Sequence, residues 1–172
     1  MTDSNKVFNV LFLCTGNSAR SVMAEALLAV LGHGRFNSFS AGSHPSGKVQ
    51  PMAADLAAKI GFDIRTLRSK NWDEFAAPDA PQMDLIITVC DNAAGESCPL
   101  WPGHPVTAHW GVADPAAVEG DEETRRHAYL EAFAVLRRRV ELLVALPVEK
   151  LDQLALQNRA REIGTQGETA SA

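Results

Sequence analysis

A short apolar run, Val7–Leu13, breaks at Cys14 into Thr15-Gly-Asn-Ser-Ala19 and gives way to a helix-forming stretch that opens on Arg20-Ser21. A near-continuously apolar strand is the pattern of a strand buried on both faces, as in a parallel sheet. Five residues separate Cys14 from Arg20. That spacing suits a loop whose backbone N–H groups turn inward around one tetrahedral oxyanion, with the Arg20 fork closing the ring from the first helical turn. The expected anion-binding residues are Thr15, Gly16, Asn17, Ser18, Ala19, Arg20 and Ser21. Cys14 would lie beneath the anion with its sulfur aimed at the central atom. The loop N–H groups, the helix N-terminus and Arg20 are expected to lower its pKa, and Ser21 to donate a further hydrogen bond to the thiolate. Gly16 and Asn17 tolerate the positive φ that such a loop needs. The alternative is a structural Cys at a strand end, since free Cys buries readily. The strand-to-helix context favours the site.

At 172 residues the chain has the length of one domain with a proper core. A formal net charge of −5 argues against a nucleic-acid footprint. Met1–Lys6 lacks the basic start of a signal peptide, and no apolar stretch is long enough to cross a membrane. Three cysteines, an odd number, do not make a secreted disulfide framework. The expected address is therefore the cytoplasm, where cysteines more often serve catalysis or metal binding than structure.

The remaining periodicity alternates strands and helices. Strands are expected at Arg35–Ala41, Met83–Val89 and Val106–Trp110. Helices are expected at about Ala19–Leu31, with Val22, Ala26, Ala29 and Val30 inward, at Pro51–Ile60, at Trp72–Phe75 and at Asp121–Leu146. Pro51 suits a first helical turn, and Phe62–Leu67 reads as extended. In the long helix Tyr129, Phe133, Leu136, Val140 and Leu143 recur at steps of four and three, marking one buried face. This order predicts a three-layer α/β fold around a parallel sheet, with the loops after Cys14, Cys90 and Trp110 on one edge. The domain is expected to span residues 1–146. Residues 147–172 read as an extension: a helix over Val148–Ile163 with Leu151, Leu154 and Ala155 on one side, then a disordered tail, the whole more a solvated appendage than a partner-binding helix.

Two further cysteines, Cys90 and Cys98, flank a segment of small residues able to bend and bring the sulfurs together. Hydrolysing a phosphate ester needs one thiolate and a water. Reducing a bound oxyanion instead needs two electrons, which thiols supply by pairing. The pair could instead pack inertly, and no His or Cys spacing completes a zinc set. Asp114, held extended by Pro115, can reach over the anion loop as a general acid. His109 and Trp110 read as bracing residues. His33, His44, His104 and His127 read as surface or turn residues.

Cys14–Ala26, Ser40-Ala-Gly42, Cys90…Cys98-Pro99 and His109-Trp-Gly…Asp114-Pro115 resemble the low-molecular-weight tyrosine phosphatases, and more specifically their relatives the thiol-coupled arsenate reductases. The resemblance covers Val7–Leu146 and implies a phosphatase-like domain with a four-stranded parallel sheet. It implies Cys14 as nucleophile, Arg20 and Ser21 as anion supports, Asp114 as acid, and Cys90 and Cys98 as the disulfide relay. It also implies no tightly bound cofactor or metal, and reducing equivalents from a redoxin. Three departures from the family pattern stand out. Ala19 replaces a Cys found in many relatives. Seven residues separate Cys90 from Cys98, one more than in the best-known thioredoxin-coupled members, which leaves the donor open between thioredoxin and glutaredoxin with glutathione. Lys70 stands where relatives that hold a potassium ion near the equivalents of Asn17 and Glu25 supply a carboxylate, so Lys70 is expected to substitute for the ion.

Two other functions compete. A protein tyrosine phosphatase would use Cys14, Arg20 and Asp114 for phosphoryl transfer, but it needs an aromatic wall, and Ala116, Ala117 and Val118 follow Asp114-Pro115 here. A redox sensor or anion-binding module would have no use for the acid.

Overall fold

The computed structural model describes residues 6–90 and 105–170, with side chains to residue 165 in the last helix. Four strands, β1 (Phe8–Cys14), β2 (Phe36–Gly42), β3 (Leu85–Thr88) and β4 (Val106–His109), form a parallel sheet in the order β2-β1-β3-β4. Cys14 pairs with Gly42, Leu13 with Thr88, and Thr88 with His109, so the strand ends line one edge. The chain steps outward from β1 to β2 and returns across β1 to β3. The reversal leaves a crevice at the carboxyl ends of β1 and β3, where open α/β sheets place their ligands.

Alternation along β1 feeds two cores. Val10, Phe12 and Cys14 face one in which α1 (Arg20–Leu31), α2 (Pro51–Lys59), α4 (Glu122–Val144) and α5 (Gln153–Ala170) meet. Leu11 and Leu13 face the other, with Ala41, Ile86, Met83 and the Trp72 and Phe75 rings at α3 (Asp73–Ala76). Each large apolar side chain that is fully buried contributes roughly 1.5–3 kcal/mol. These helices flank the sheet in three layers, and the strands expected from sequence form within a residue or two of their predicted ends. Past the ends of β3 the pairing continues through Asp84 N donating to Asn9 O and Val89 N to Leu13 O, both at 2.8 Å.

The long helix keeps its expected buried face, from Tyr129 to Leu143, and its start is fixed by Asp121 Oδ1 accepting from Thr124 N at 2.8 Å. In α1 the expected face is too narrow. Val22–Ala24 and Ala26–Leu28 are buried while Ala29 is exposed, because this helix packs on the sheet, α2 and α4 at once. Phe62–Leu67 is not extended throughout; Asp63 accepts from Arg65 N and caps a single 3-10 turn over Ile64–Thr66.

The largest correction falls on the C-terminal segment. Instead of a helix to Ile163 and a solvated tail, α5 runs to Ala170 and packs against β4. Leu154, which shares one side with Leu151 and Ala155 in the expected helix, is 65% exposed; the buried residues are Leu156, Ala160 and Ile163. No helix of the described residues is long and apolar enough to cross a membrane.

Candidate active site

Residues 14–20 link β1 to α1 at the crevice. Their carbonyls are held from outside. Thr15 O accepts from His44 N at 2.9 Å, Gly16 O from Ser46 N at 3.0 Å and Ser69 Oγ at 3.1 Å, and Ser18 O from Gln50 N at 2.8 Å. A trans peptide points its N–H opposite to its C=O, so the N–H groups of Gly16, Asn17 and Ala19 turn away from this outer wall. The Gly16 N–H meets the Cys14 sulfur.

Of the two residues expected to supply positive φ, only Asn17 does, at +46°. Its buried side chain satisfies the strained position: Nδ2 donates to Ser21 Oγ at 2.8 Å and Ser40 Oγ at 3.0 Å, and Oδ1 accepts from Lys70 N at 2.8 Å. Ser21 Oγ accepts from Asn17, and the influences that shift the Cys14 pKa come from Cys90, burial, Arg20 and Gly16. Ser40 Oγ in turn donates to Glu25 Oε1 at 2.5 Å, and Lys70 Nζ lies 3.9 Å from the same oxygen while donating to Arg68 O at 2.9 Å. Burial pushes the Glu25 carboxyl up, opposed by Lys70, Ser40 and Arg68. Burial pushes the Lys70 ammonium down, opposed chiefly by Glu25. Each group limits the cost of burying the other, and the pair is held under the loop.

Gly42 explains why β2 ends as it does. A Cβ there would lie 2.4 Å from Thr15 O and 2.8 Å from Cys14 O, so only glycine lets the loop backbone rest on the strand. Gly42→Ala is expected to lower stability by about 1–3 kcal/mol and to weaken phosphate binding. Denaturant unfolding and phosphate protection against thermal unfolding check this; an alanine variant with both properties intact would contradict it.

Cys14 is 4% exposed and Cys90 2%. Cys90 Sγ accepts from Thr15 N at 3.2 Å and lies 3.5 Å from Thr15 Oγ1. The expected lowering of the Cys14 pKa is reversed. A hydrogen bond with the Cys90 thiol and burial push it up, against the Arg20 charge and the Gly16 N–H. The sequence pattern carried the lowering influences but not the contact between two thiols 76 residues apart in the chain.

Arg20 crosses the crevice mouth. Its Nη1 donates to Val112 O at 3.0 Å, and its Nη2 lies 3.4 Å from Asp114 Oδ2. Its buried Nε meets no hydrogen-bond partner among the described residues. Asp114 Oδ1 accepts from Ala116 N at 3.0 Å and starts the 3-10 turn Pro115–Ala117, which holds the carboxyl toward Arg20. Arg139, which sequence reasoning passed over, is buried in α4 and donates to Gly111 O at 2.9 Å. Its signal, an Arg on the apolar stripe between Leu136 and Val140, reads in sequence only as a surface charge. His109 and Trp110 brace as expected: His109 Nδ1 lies 2.7 Å from Thr88 Oγ1, and Trp110 Nε1 donates to Ala160 O at 2.9 Å. Cys14, the loop, Arg20, Asp114 and Cys90 are thus brought together, and Cys98 lies outside the described residues. No group of three metal-ligating side chains occurs among the described residues.

At the carboxyl edge of the sheet a strand-end Cys, the link from β1 to α1, an Arg in the first turn of α1 and an Asp beside that Arg share one crevice. The chain belongs to the low molecular weight phosphotyrosine protein phosphatase family, whose model matches residues 9–158. Within it the chain is similar to arsenate reductases. That of Bacillus licheniformis is 39% identical over 117 residues, 67% of this chain and 80% of the relative. That of Halalkalibacterium halodurans is 38% identical over 129 residues, 75% and 84% of the two chains. Among solved structures, the Archaeoglobus fulgidus arsenate reductase is 32% identical with a TM-score of 0.53, covering 77% of this chain and 98% of its own. An arsenate reductase in its oxidized state gives a TM-score of 0.64 at 28% identity, covering 80% and 96%.

Proposed function

We propose that the chain reduces arsenate to arsenite. The observation that carries this reading is the second thiol: Cys90 lies against Cys14 and against the first N–H of the anion loop. A hydrolase needs no such group, whereas a reductase needs a sulfur placed to displace arsenic from the first. Among the described residues, the cleft of about 360 Å³ beside Asp114, lined by Pro115, Val118, Ala132 and Val135 among others, carries no aromatic ring to sandwich a phenyl group.

In this mechanism the loop N–H groups not taken up by the two sulfurs, together with Arg20, hold the arsenate oxygens, and Cys14, its proton passed to a bound arsenate oxygen, attacks arsenic as the thiolate. Asp114 protonates the oxygen that leaves as water, so a Cys14–S–As bond replaces an As–O bond. The Cys90 thiolate then attacks the Cys14 sulfur. The S–As bond breaks, its electron pair stays with arsenic, arsenite departs, and a Cys14–Cys90 disulfide remains. Cys98 attacks Cys90, which frees Cys14 and moves the disulfide to Cys90–Cys98. A dithiol donor, thioredoxin or glutaredoxin with glutathione, reduces it there.

The test is arsenate-dependent NADPH consumption with thioredoxin and its reductase, and separately with glutaredoxin, glutathione and its reductase. Turnover in either assay supports the reading and names the donor. Silence in both, with brisk hydrolysis of para-nitrophenyl phosphate, would replace it with the phosphatase reading.

Lys70 takes the part of a bound cation beside Asn17 and Glu25. Activity is therefore expected to be the same, within about two-fold, in potassium and in sodium at equal ionic strength. Strong activation by potassium alone would remove this role.

A further inference from the structure

Between the end of β4 and Asp114 the chain is held from the end of β3, from α1 and from α4. Trp110 N donates to Thr88 O at 2.7 Å, and Val112 N to Val89 O at 3.1 Å. Gly111 O accepts from Arg139 and Val112 O from Arg20. Trp110 is fully buried, its ring 6.0 Å from that of Phe12 on β1, and its Nε1 donates to the main chain of α5 at Ala160.

That contact belongs to a fitted seat. A Cβ on Gly164, one turn further along α5, would lie 2.1 Å from His109 O and 2.9 Å from Trp110 Cδ1. Glycine inside a helix is less favourable than alanine, and here it lets the helix backbone rest on the last carbonyl of β4. Arg161 Nε donates to Thr107 O at 3.1 Å on the same strand. Ala160 and Ile163 close the seat with buried side chains. It lies just past residue 158, where the family match ends.

We propose that α5 is a strut for the acid loop and Trp110 a positioning residue: the Ala160–Gly164 seat fixes Trp110, and Trp110 fixes Asp114 against Arg20. The inference rests on the reading of Asp114 as general acid and Cys14 as nucleophile. The strut acts on the protonation of the leaving oxygen and leaves the anion loop, which is held from the other side by residues 42–50 and 69–70, unchanged.

The test uses the full chain with Gly164→Ala, Trp110→Phe and Asp114→Asn. Three quantities are read: the single-turnover rate of arsenite formation at saturating arsenate across a pH series, the arsenate concentration giving half that rate, and the rate at which iodoacetamide alkylates Cys14. Gly164→Ala is expected to slow arsenite formation about 10-fold or more and to shift its pH profile toward that of Asp114→Asn. The half-saturating arsenate and the alkylation rate should stay within about two-fold. Trp110→Phe keeps an aromatic ring but loses the N–H and the second ring of the indole, so a smaller change of the same kind is expected; it decides the matter if circular dichroism shows Gly164→Ala unfolded. A folded Gly164→Ala, or Trp110→Phe in its place, with native rate and pH profile overturns the strut. So does a variant in which arsenate binding and Cys14 alkylation fall along with the rate. If Asp114→Asn itself keeps the native rate, the reading of Asp114 as the acid fails, and the strut falls with it.

Discussion

Cys14→Ser is expected to abolish arsenate reduction and any phosphate-ester hydrolysis together, by a factor on the order of 10⁴ or more. A serine hydroxyl in this position is a poor nucleophile with no general base beside it to take its proton, and an oxygen bound to arsenic offers no sulfur for the second thiol to attack. The variant should keep its fold. The loop is held by its carbonyls, by the Asn17 side chain and by the Gly42 contact, none of which involves the Cys14 sulfur. Phosphate should therefore still protect it against thermal unfolding. Steady-state assays of both reactions, with circular dichroism, check the result; residual arsenate turnover would assign the nucleophile elsewhere.

Cys90→Ala separates the two chemistries. Multiple-turnover arsenate reduction should vanish, because nothing displaces arsenic from Cys14 and returns the electron pair. Hydrolysis of para-nitrophenyl phosphate should survive, since it needs only Cys14, Arg20 and Asp114. The reactivity of Cys14 should also rise. The Cys90 thiol is the largest influence pushing the Cys14 pKa up, and removing it leaves burial opposed by the Arg20 charge and the Gly16 N–H. The midpoint for thiolate formation then moves down, and iodoacetamide alkylation at neutral pH should be faster than in the native protein. An unchanged alkylation profile would show that the two thiols do not share a proton. Cys98→Ser should block sustained turnover and leave hydrolysis intact; normal turnover with a redoxin supply would reorder the relay.

The features that sequence carried best are local in the chain. Cys14, the loop and Arg20 lie within seven residues, and the period of the long helix from Tyr129 to Leu143 survives because one broad face meets the core. Asp114 was legible for the same reason: Asp-Pro sets its own turn. What sequence carried poorly depends on contacts between distant segments. The rise in the Cys14 pKa comes chiefly from a thiol two residues past β3, and the burial of Arg139 goes with its donation to the Gly111 carbonyl. The C-terminal segment read as a tail because its apolar residues are few and its Gly164 suggests a break. In the structure that glycine is the point where α5 touches β4. Small residues chosen for close backbone approach look like flexible ones until the other backbone is seen, and Gly42 and Gly164 are both of this kind.

The central claim is that Cys14 and Cys90 together deliver two electrons to one arsenate. The direct measurement is a single turnover without any redoxin: fully reduced protein is mixed with excess arsenate, quenched, and assayed for arsenite and for remaining thiols. The account predicts one arsenite and the loss of two of the three thiols per chain, with mass spectrometry of peptides finding the disulfide on Cys90. Three thiols intact and no arsenite, with phosphate-ester hydrolysis still present, would contradict it.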